Sequence, residues 1–259
     1  MHSAERETLI LEALAPSGFV TYRELEARLA ASPATIRRDL TRLEEAGLLQ
    51  RVHGGAKLPP DADQNERQPS LSGTPFDLAI TQNLAHKQAI GLAAARLCTP
   101  GEGIMVDGGT TTYQMCQHLA GMGLQVLTNS LHIVNALLPQ TDTRVLIPSG
   151  TVFREQNIVL APAGEESMPR FHAPKLFMGA AAVGPQGVMQ HDIVLVAAER
   201  RFMDRAEKVI LMVDSTKFTL SSGAIVCGLD EVDVLITDAG IPAAMAEQIR
   251  AKGVELIIA

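Results

Sequence analysis

The stretch SPATIRRDLTRLEEAGLLQRVHGGAKL, Ser32 to Leu58, decides how the first part of this chain folds. Ser32 can cap a helix with its hydroxyl, and Pro33 suits the first helical position, where a missing N–H costs nothing. Ile36, Leu40 and Leu43 recur at helical spacing and form an inward stripe, and Gly47 closes the helix. LLQRV-HGG-AKL then reads as strand, turn, strand. Thr35, Arg38 and Arg42 project from one outer side of the helix, with Arg37 and Thr41 beside them, and Arg51, His53 and Lys57 fall on the hairpin.

Working outward, Glu5–Leu14 predicts a helix with Leu9, Ile10, Ala13 and Leu14 on one face, ended by APSG at 15–18. Phe19-Val20 fits a short strand. Thr21 with Glu24 forms a capping box ahead of a second helix, Tyr22–Leu29. Two short helices joined by a tight turn, the second opening on Ser-Pro, make a helix-turn-helix, and the hairpin behind it makes a wing. The N-terminal end of such a second helix reaches base edges in the major groove, where Arg pairs with guanine and Thr with a thymine methyl or a hydrogen-bonding edge. The wing suits phosphates or the minor groove. Ordinary surface charge would explain any one arginine, but not the whole order of cap, basic face and Gly-Gly wing.

Charge is uneven along the 259 residues. Residues 1–58 carry eight basic and eight acidic side chains; residues 59–259 carry fourteen and twenty-one, hence the whole net charge of −7. That acidity argues against a general binder of nucleic acid or anionic membrane, but not against one local basic surface. No apolar run approaches the roughly 18 residues of a membrane span, and the N-terminus lacks the order of a signal peptide. Cys98, Cys116 and Cys227 read as buried thiols of a reducing cytoplasm. The seven histidines show no metal-ligand spacing, so no metal is expected.

Residues 59–75, PPDADQNERQPSLSGTP, hold four prolines and almost nothing apolar, the composition of a linker. From about Phe76, apolar β-rich runs at 103–107, 124–129, 144–148, 175–180, 208–214, 232–238 and 254–259 alternate with helical stretches at about 83–98, 110–121, 130–138, 197–206 and 241–251. This predicts a mainly parallel sheet covered on both faces. The expected fold class is therefore α/β: a small winged helix-turn-helix over 1–58, a linker over 59–75, and a larger Rossmann-like domain over 76–259.

In the second part, MVDGGTTTYQMCQHL passes from strand to helix through Asp107, Gly108, Gly109, Thr110, Thr111 and Thr112. Free N–H groups and hydroxyls at a helix start suit an anion, and the absence of G-x-x-x-x-G-K-[ST] excludes a nucleotide P-loop. Asn129-Ser130, Ser149-Gly150 and Lys217 of DSTKF also follow predicted strands, and the carboxyl ends of strands gather into one cleft. His191 sits in a loop leading toward Glu199 and is a further candidate ligand contact. Asp107 is expected to accept from a sugar hydroxyl and Lys217 to supply positive charge.

The run SPATIRRDLTRLEEAGLLQRVHGGA resembles the N-terminal signature of the DeoR family of bacterial transcriptional regulators, densely over residues 5–57. That resemblance implies a recognition helix at 33–46 and operator DNA contacts from Thr35, Arg37, Arg38 and the wing. It further implies a C-terminal sugar-phosphate sensor, remotely similar to the ribose 5-phosphate isomerase fold. DGGTTT resembles the isomerase phosphate loop, and the segment from Glu199 to Lys217 resembles the one bearing its glutamate and last lysine. The isomerase acidic motif D-G-A-D-E falls on GAAAV at 179–183, without a carboxylate, and its catalytic lysine near Gln190 or His191. The resemblance therefore implies a fold that keeps the binding and loses the chemistry. Two departures stand out: Ser149-Gly150 replaces a frequent Gly-Gly, and FDLAITQN lacks a common arginine. The implied protein is a cytoplasmic homo-oligomeric repressor, not an enzyme, using no cofactor and released by a phosphorylated sugar. The competing class is a sugar-phosphate isomerase-like enzyme with an N-terminal interaction module; a helix-turn-helix protein–protein adaptor is a third, weaker reading.

Overall fold

The computed structural model describes residues 3–14, 19–29, 31–52, 55–57, 76–160 and 168–259. His53 and the expected linker at 59–75 lie outside the described residues. The chain divides into two compact units, Met1–Gln68 and Pro69–Ala259.

The first unit runs α1 (Ser3–Leu14), β1 (Phe19–Thr21), α2 (Tyr22–Arg28), α3 (Pro33–Glu45), β2 (Gln50–Val52) and β3 (Gly55–Lys57). The expected caps form. Thr21 Oγ1 accepts from Glu24 N at 3.2 Å while Glu24 Oε2 accepts from Thr21 N at 2.8 Å. Ser32 Oγ accepts from Thr35 N at 3.3 Å, with Pro33 opening α3. Gly47 ends it at φ +73°, and Leu48 N donates to Leu43 O at 2.9 Å. The strands are antiparallel in the order β1-β3-β2. Gly55 is required there, because a Cβ would stand 2.0 Å from Val20 O. Ile10, Leu14, Leu25, Ile36, Leu40 and Leu49 fill the core. Leu9, expected inside, is 38% exposed, so the buried stripe of α1 is narrower than its apolar residues suggest. Asp39 is buried in α3 instead, among the leucines.

The second unit opens with α4 (Phe76–Ala79) and α5 (Leu84–Ala95), followed by β4 (Gly103–Val106), α6 (Thr110–Tyr113), β5 (Gln125–Leu127), α7 (Leu131–Leu137) and β6 (Arg144–Leu146). It continues with β7 (Thr151–Phe153), β8 (Ile158–Leu160), β9 (Ala173–Met178), β10 (Ala182–Gly184), β11 (Gly187–Gln190), α8 (Ile193–Met203), β12 (Ala206–Met212), β13 (Ala224–Cys227), β14 (Val234–Thr237), α9 (Ala243–Ala251) and β15 (Glu255–Ile258). All seven predicted apolar runs are strands of one parallel sheet, ordered β15-β14-β12-β9-β4-β5-β6. Side chains alternate between two cores. Ile104, Val106, Ile210 and Met212 meet α5 and α7; Met105, Val209 and Leu211 meet α8 and α9.

Three expectations change. The helix predicted over 110–121 is only four residues long, followed by a 3-10 turn at Cys116–His118, because three β-branched threonines are poor helix formers. The helix predicted at 197–206 starts at Ile193, where Asp192 caps it through Val194 N. Two antiparallel additions, β10-β11-β13 and the β7-β8 hairpin, were not signalled by strands so short.

Strand order fixes the site. The chain begins mid-sheet at β4, moves outward through β5 and β6, then returns to lay β9 on the other side of β4. The β4/β9 boundary is a switch point, and loops leaving it open a crevice.

Candidate functional site

In the first unit, Arg37, Arg38, Thr41, Arg42 and Arg51 line one concave surface of α3 and the hairpin. Arg37 and Arg38 are exposed, as are Arg51 and Lys57 on the strands. The hairpin is tied to the helix: Arg51 Nη1 donates to Thr41 Oγ1 at 2.7 Å, and Arg51 N to Glu44 Oε1 at 2.8 Å. Thr35 Oγ1 lies 2.9 Å from Ser32 Oγ. Arg42 differs from its neighbours. Its guanidinium bonds Asp39 in the same helix and reaches Glu7 of α1 at 3.2 Å. Burial alone would raise the Asp39 carboxyl, but Arg6 and then Arg42 outweigh it and hold Asp39 below the usual carboxylate range.

In the second unit, the crevice collects loops after three strands. Asp107 to Thr111 follow β4, Gly179 to Ala181 follow β9, and Asp214, Thr216 and Lys217 follow β12. Gln190 and His191 close it from β11, and Glu199 from α8. The β4 loop is fixed from behind. Asp107 N donates to Phe177 O at 2.9 Å, Gly108 N to Asn129 Oδ1 at 2.9 Å, and Asn129 Nδ2 to Asp107 Oδ1 at 3.1 Å. A Cβ on Gly108 would stand 2.7 Å from Ile158 Cγ2, so the loop needs glycine to pass β8.

The expected ligand residues therefore divide. Asp107, Gly108, Gly109, Thr110, Thr111, His191, Glu199 and Lys217 line the cleft. Thr112 does not: its hydroxyl turns inward and donates to Asp107 O at 2.8 Å and Gly109 O at 3.0 Å. Asn129 stands behind the loop as its brace. Ser130 caps α7, accepting from Ile133 N at 3.4 Å. Ser149 and Gly150 are exposed and outside the lining, because β6 is the sheet's edge strand, far from the switch point. With α6 so short, an anion here would depend on loop N–H groups and lysines rather than on a helix dipole.

Sequence reasoning missed Lys87 and Asn83 as lining residues, and of DSTKF it singled out Lys217 but not Asp214 and Thr216. Lys87 had a signal: it shares the inward face of α5 with Ile90 and Ala94, three and seven residues on. It is 4% exposed, and Nζ donates to Ala79 O at 2.7 Å. Burial lowers its pKa, against a pull from Asp214 and with a push from Lys217. Asn83 Nδ2 donates to Asp214 Oδ1 at 3.1 Å.

The carboxyls of Asp107 and Glu199 are buried together. Burial lifts Asp107 to about 6, and burial with the Asp107 charge lifts Glu199 well above its ordinary value. Glu199 Oε1 accepts from Gln190, while Oε2 meets no hydrogen-bond partner among the described residues. The His191 pKa is lowered, by burial and then by Lys217, which disfavours the charged imidazole.

Residues 6–61 match the DeoR-like helix-turn-helix domain, and residues 82–239 match the DeoR C terminal sensor domain. The chain belongs to the DeoR family. Relatives named HTH-type transcriptional regulator UlaR, from Shigella dysenteriae and Escherichia coli, are 32% and 31% identical over 257 residues, 99% of each chain. As a DeoR-family member with such relatives along its length, the protein is a DNA-binding transcriptional regulator. Among solved structures, ribose 5-phosphate isomerase from Methanocaldococcus jannaschii overlaps 53% of this chain and 55% of its own, at 13% identity and a TM-score of 0.39. The eIF2B beta subunit from Chaetomium thermophilum overlaps 59% and 48%, at 15% identity and a TM-score of 0.40. Neither partial overlap carries chemistry to the DeoR-family chain. No helix among the described residues is long and apolar enough to cross a membrane.

Proposed function

We propose that the protein is a repressor that holds its operator with the outer face of α3 and the hairpin, and releases it when a phosphorylated sugar enters the cleft. The observation that carries this reading is the meeting of Lys87 and Lys217 with the 108–111 loop in a cleft at the switch point. Two ammonium groups and loop N–H groups suit a phosphate, and Asp107, Gln190 and His191 offer acceptors and donors to hydroxyls. In this reading Thr35, Arg37 and Arg38 read bases, and Arg51 and Lys57 hold phosphates. Paired half-sites call for at least two copies of the chain, in the cytoplasm where operators are.

The second reading, an isomerase-like enzyme, is favoured by one observation: two carboxyl groups, Asp107 and Glu199, are buried together at the cleft. Against it, Gly179, Ala180 and Ala181 line that wall without a carboxylate. Thermal-shift titration with pentose and hexose phosphates, each also assayed for turnover, separates the two. A ligand at 100 times its Kd adds about 2.7 kcal/mol. Stabilisation without turnover is the expected result. Turnover makes the protein an enzyme, and no shift with any phosphosugar overturns the sensor.

A further inference from the structure

Phe76 is the first described residue after 58–75, within which the two units meet at Gln68 and Pro69, so whatever the sensor transmits along the chain passes through its backbone. Its ring is 4% exposed. It stacks on the His132 imidazole with centroids 3.7 Å apart and planes 10° apart, and meets Tyr113 edge-on at 5.7 Å and 82°. Neither partner lines the cleft, but each sits on an element joined to the loop that does. Tyr113 ends the turn that starts at Thr110, with Tyr113 N bonded to Gly109 O at 3.0 Å. His132 lies in the first turn of α7, two residues after Ser130 and three after Asn129, the brace of Gly108. Asn157, beside the ring, holds His132 Nε2 at 3.0 Å.

The other end of α4 touches the cleft directly. Ala79 lines it, and its carbonyl is the acceptor of Lys87 Nζ. A helix of four residues has no stability of its own. The position of α4 is set by the aromatic stack at Phe76, the lysine at Ala79 and a backbone bond from Phe76 N to Glu155 O at 3.2 Å; the first two involve elements that line or adjoin the cleft.

We infer that α4 is the relay between cleft and DNA-binding unit, with Phe76 as the positioning residue that turns occupancy of the cleft into a displacement at the start of the connecting segment. This rests on the reading of the cleft as a phosphate-binding sensor, and goes beyond it in naming the element that reports occupancy. An occupant that draws Lys87 toward an anion changes the contact at Ala79, and one that orders the 108–111 loop changes the stack at Phe76. Differential contact with two arrangements of one element is what coupling between distant sites requires.

Amide hydrogen exchange on the full chain, with and without saturating inorganic phosphate, tests this in the wild-type protein. Phosphate is the fragment common to every phosphorylated sugar. Expected is slower exchange at 107–113 together with 76–83, by about fivefold or more, the lower end of usual coupling. In Phe76→Leu, which keeps apolar bulk and loses the stack, the effect at 107–113 should persist and that at 76–83 should fade. Protection at 107–113 alone in the wild type overturns the relay and leaves the sensor standing. Protection at neither overturns both. Undiminished protection of 76–83 in Phe76→Leu overturns the role of the ring.

Discussion

Arg6 Nε, in α1, donates to Asp39 Oδ2, in α3, at 2.7 Å, and the aspartate carboxylate is 1% exposed. This pair crosses the first unit and ties α3 to α1. Arg42 shares the same carboxylate, so the three side chains act as one assembly. Asp39→Ala should cost about 1–3 kcal/mol, the range for removing a buried partner of charged donors. Because its folded pKa is lowered, Asp39 contributes fully above the ordinary carboxylate range and loses that contribution as pH falls through its folded value. Urea unfolding of wild type and variant from neutral to strongly acid pH should show the two converging only at the acid end. Convergence already at neutral pH would remove the assembly from the energetics of the fold.

Arg38→Ala should weaken operator binding by about 1–3 kcal/mol and relax preference at one base position, whereas Arg51→Ala should weaken binding evenly across sequences and flatten the salt dependence. Arg42→Ala belongs in a third class, since its guanidinium also holds Asp39 and Glu7, and should lose thermal stability along with affinity. Titration of labelled operator and scrambled DNA at several salt concentrations distinguishes these. Equal loss on both DNAs for Arg38→Ala would assign that arginine to phosphate.

Lys217→Ala should weaken phosphosugar binding by about 1.5–3 kcal/mol, as for a hydrogen bond to a charged group, and leave operator affinity unchanged. The phenotype is a regulator that stays on its DNA. Both affinities need measuring on one preparation. Lost DNA binding with intact ligand binding would take Lys217 out of the cleft's function.

Glu199→Gln should gain stability relative to wild type as pH rises from about 4 to 7. Glu199 and Asp107 have folded pKa values above their unfolded ones, so the folded wild type holds extra protons in this window and loses stability as they leave. Glutamine mimics the protonated carboxyl and does not titrate. Denaturation midpoints at three pH values suffice, and parallel wild-type and variant curves would show that the pair does not share a proton.

Legibility followed the physics of each element. The seven strands were plain because burial on both faces demands apolar runs, and the caps at Thr21 and Ser32 because few residues can do that work. Side-chain destinations were less so. Asp39 flanks the apolar stripe of α3, but nothing near it in sequence says that Arg6, thirty-three residues away, pairs its carboxylate, while Arg42 stays exposed and shares it. Thr112 was indistinguishable from Thr110 until the turn shortened and aimed its hydroxyl at Asp107 O. Lys87 was readable as an inward residue of α5 but not as a neighbour of Lys217, and Ser149 was placed with the cleft because nothing in β6 says it is an edge.

The order of the large sheet also bears on how the protein is made. Synthesis delivers β4, β5 and β6 first, yet β9, which pairs the other side of β4, begins only at Ala173. While the intervening residues emerge, Gly103–Val106 has an open row of backbone donors and acceptors, with Ile104, Met105 and Val106 apolar on both faces. A ribosome stalled in that interval holds a half-sheet ready to take a strand from a neighbouring nascent chain. The stretch between Leu146 and Ala173 is thus a window of vulnerability in translation, which the finished regulator no longer has.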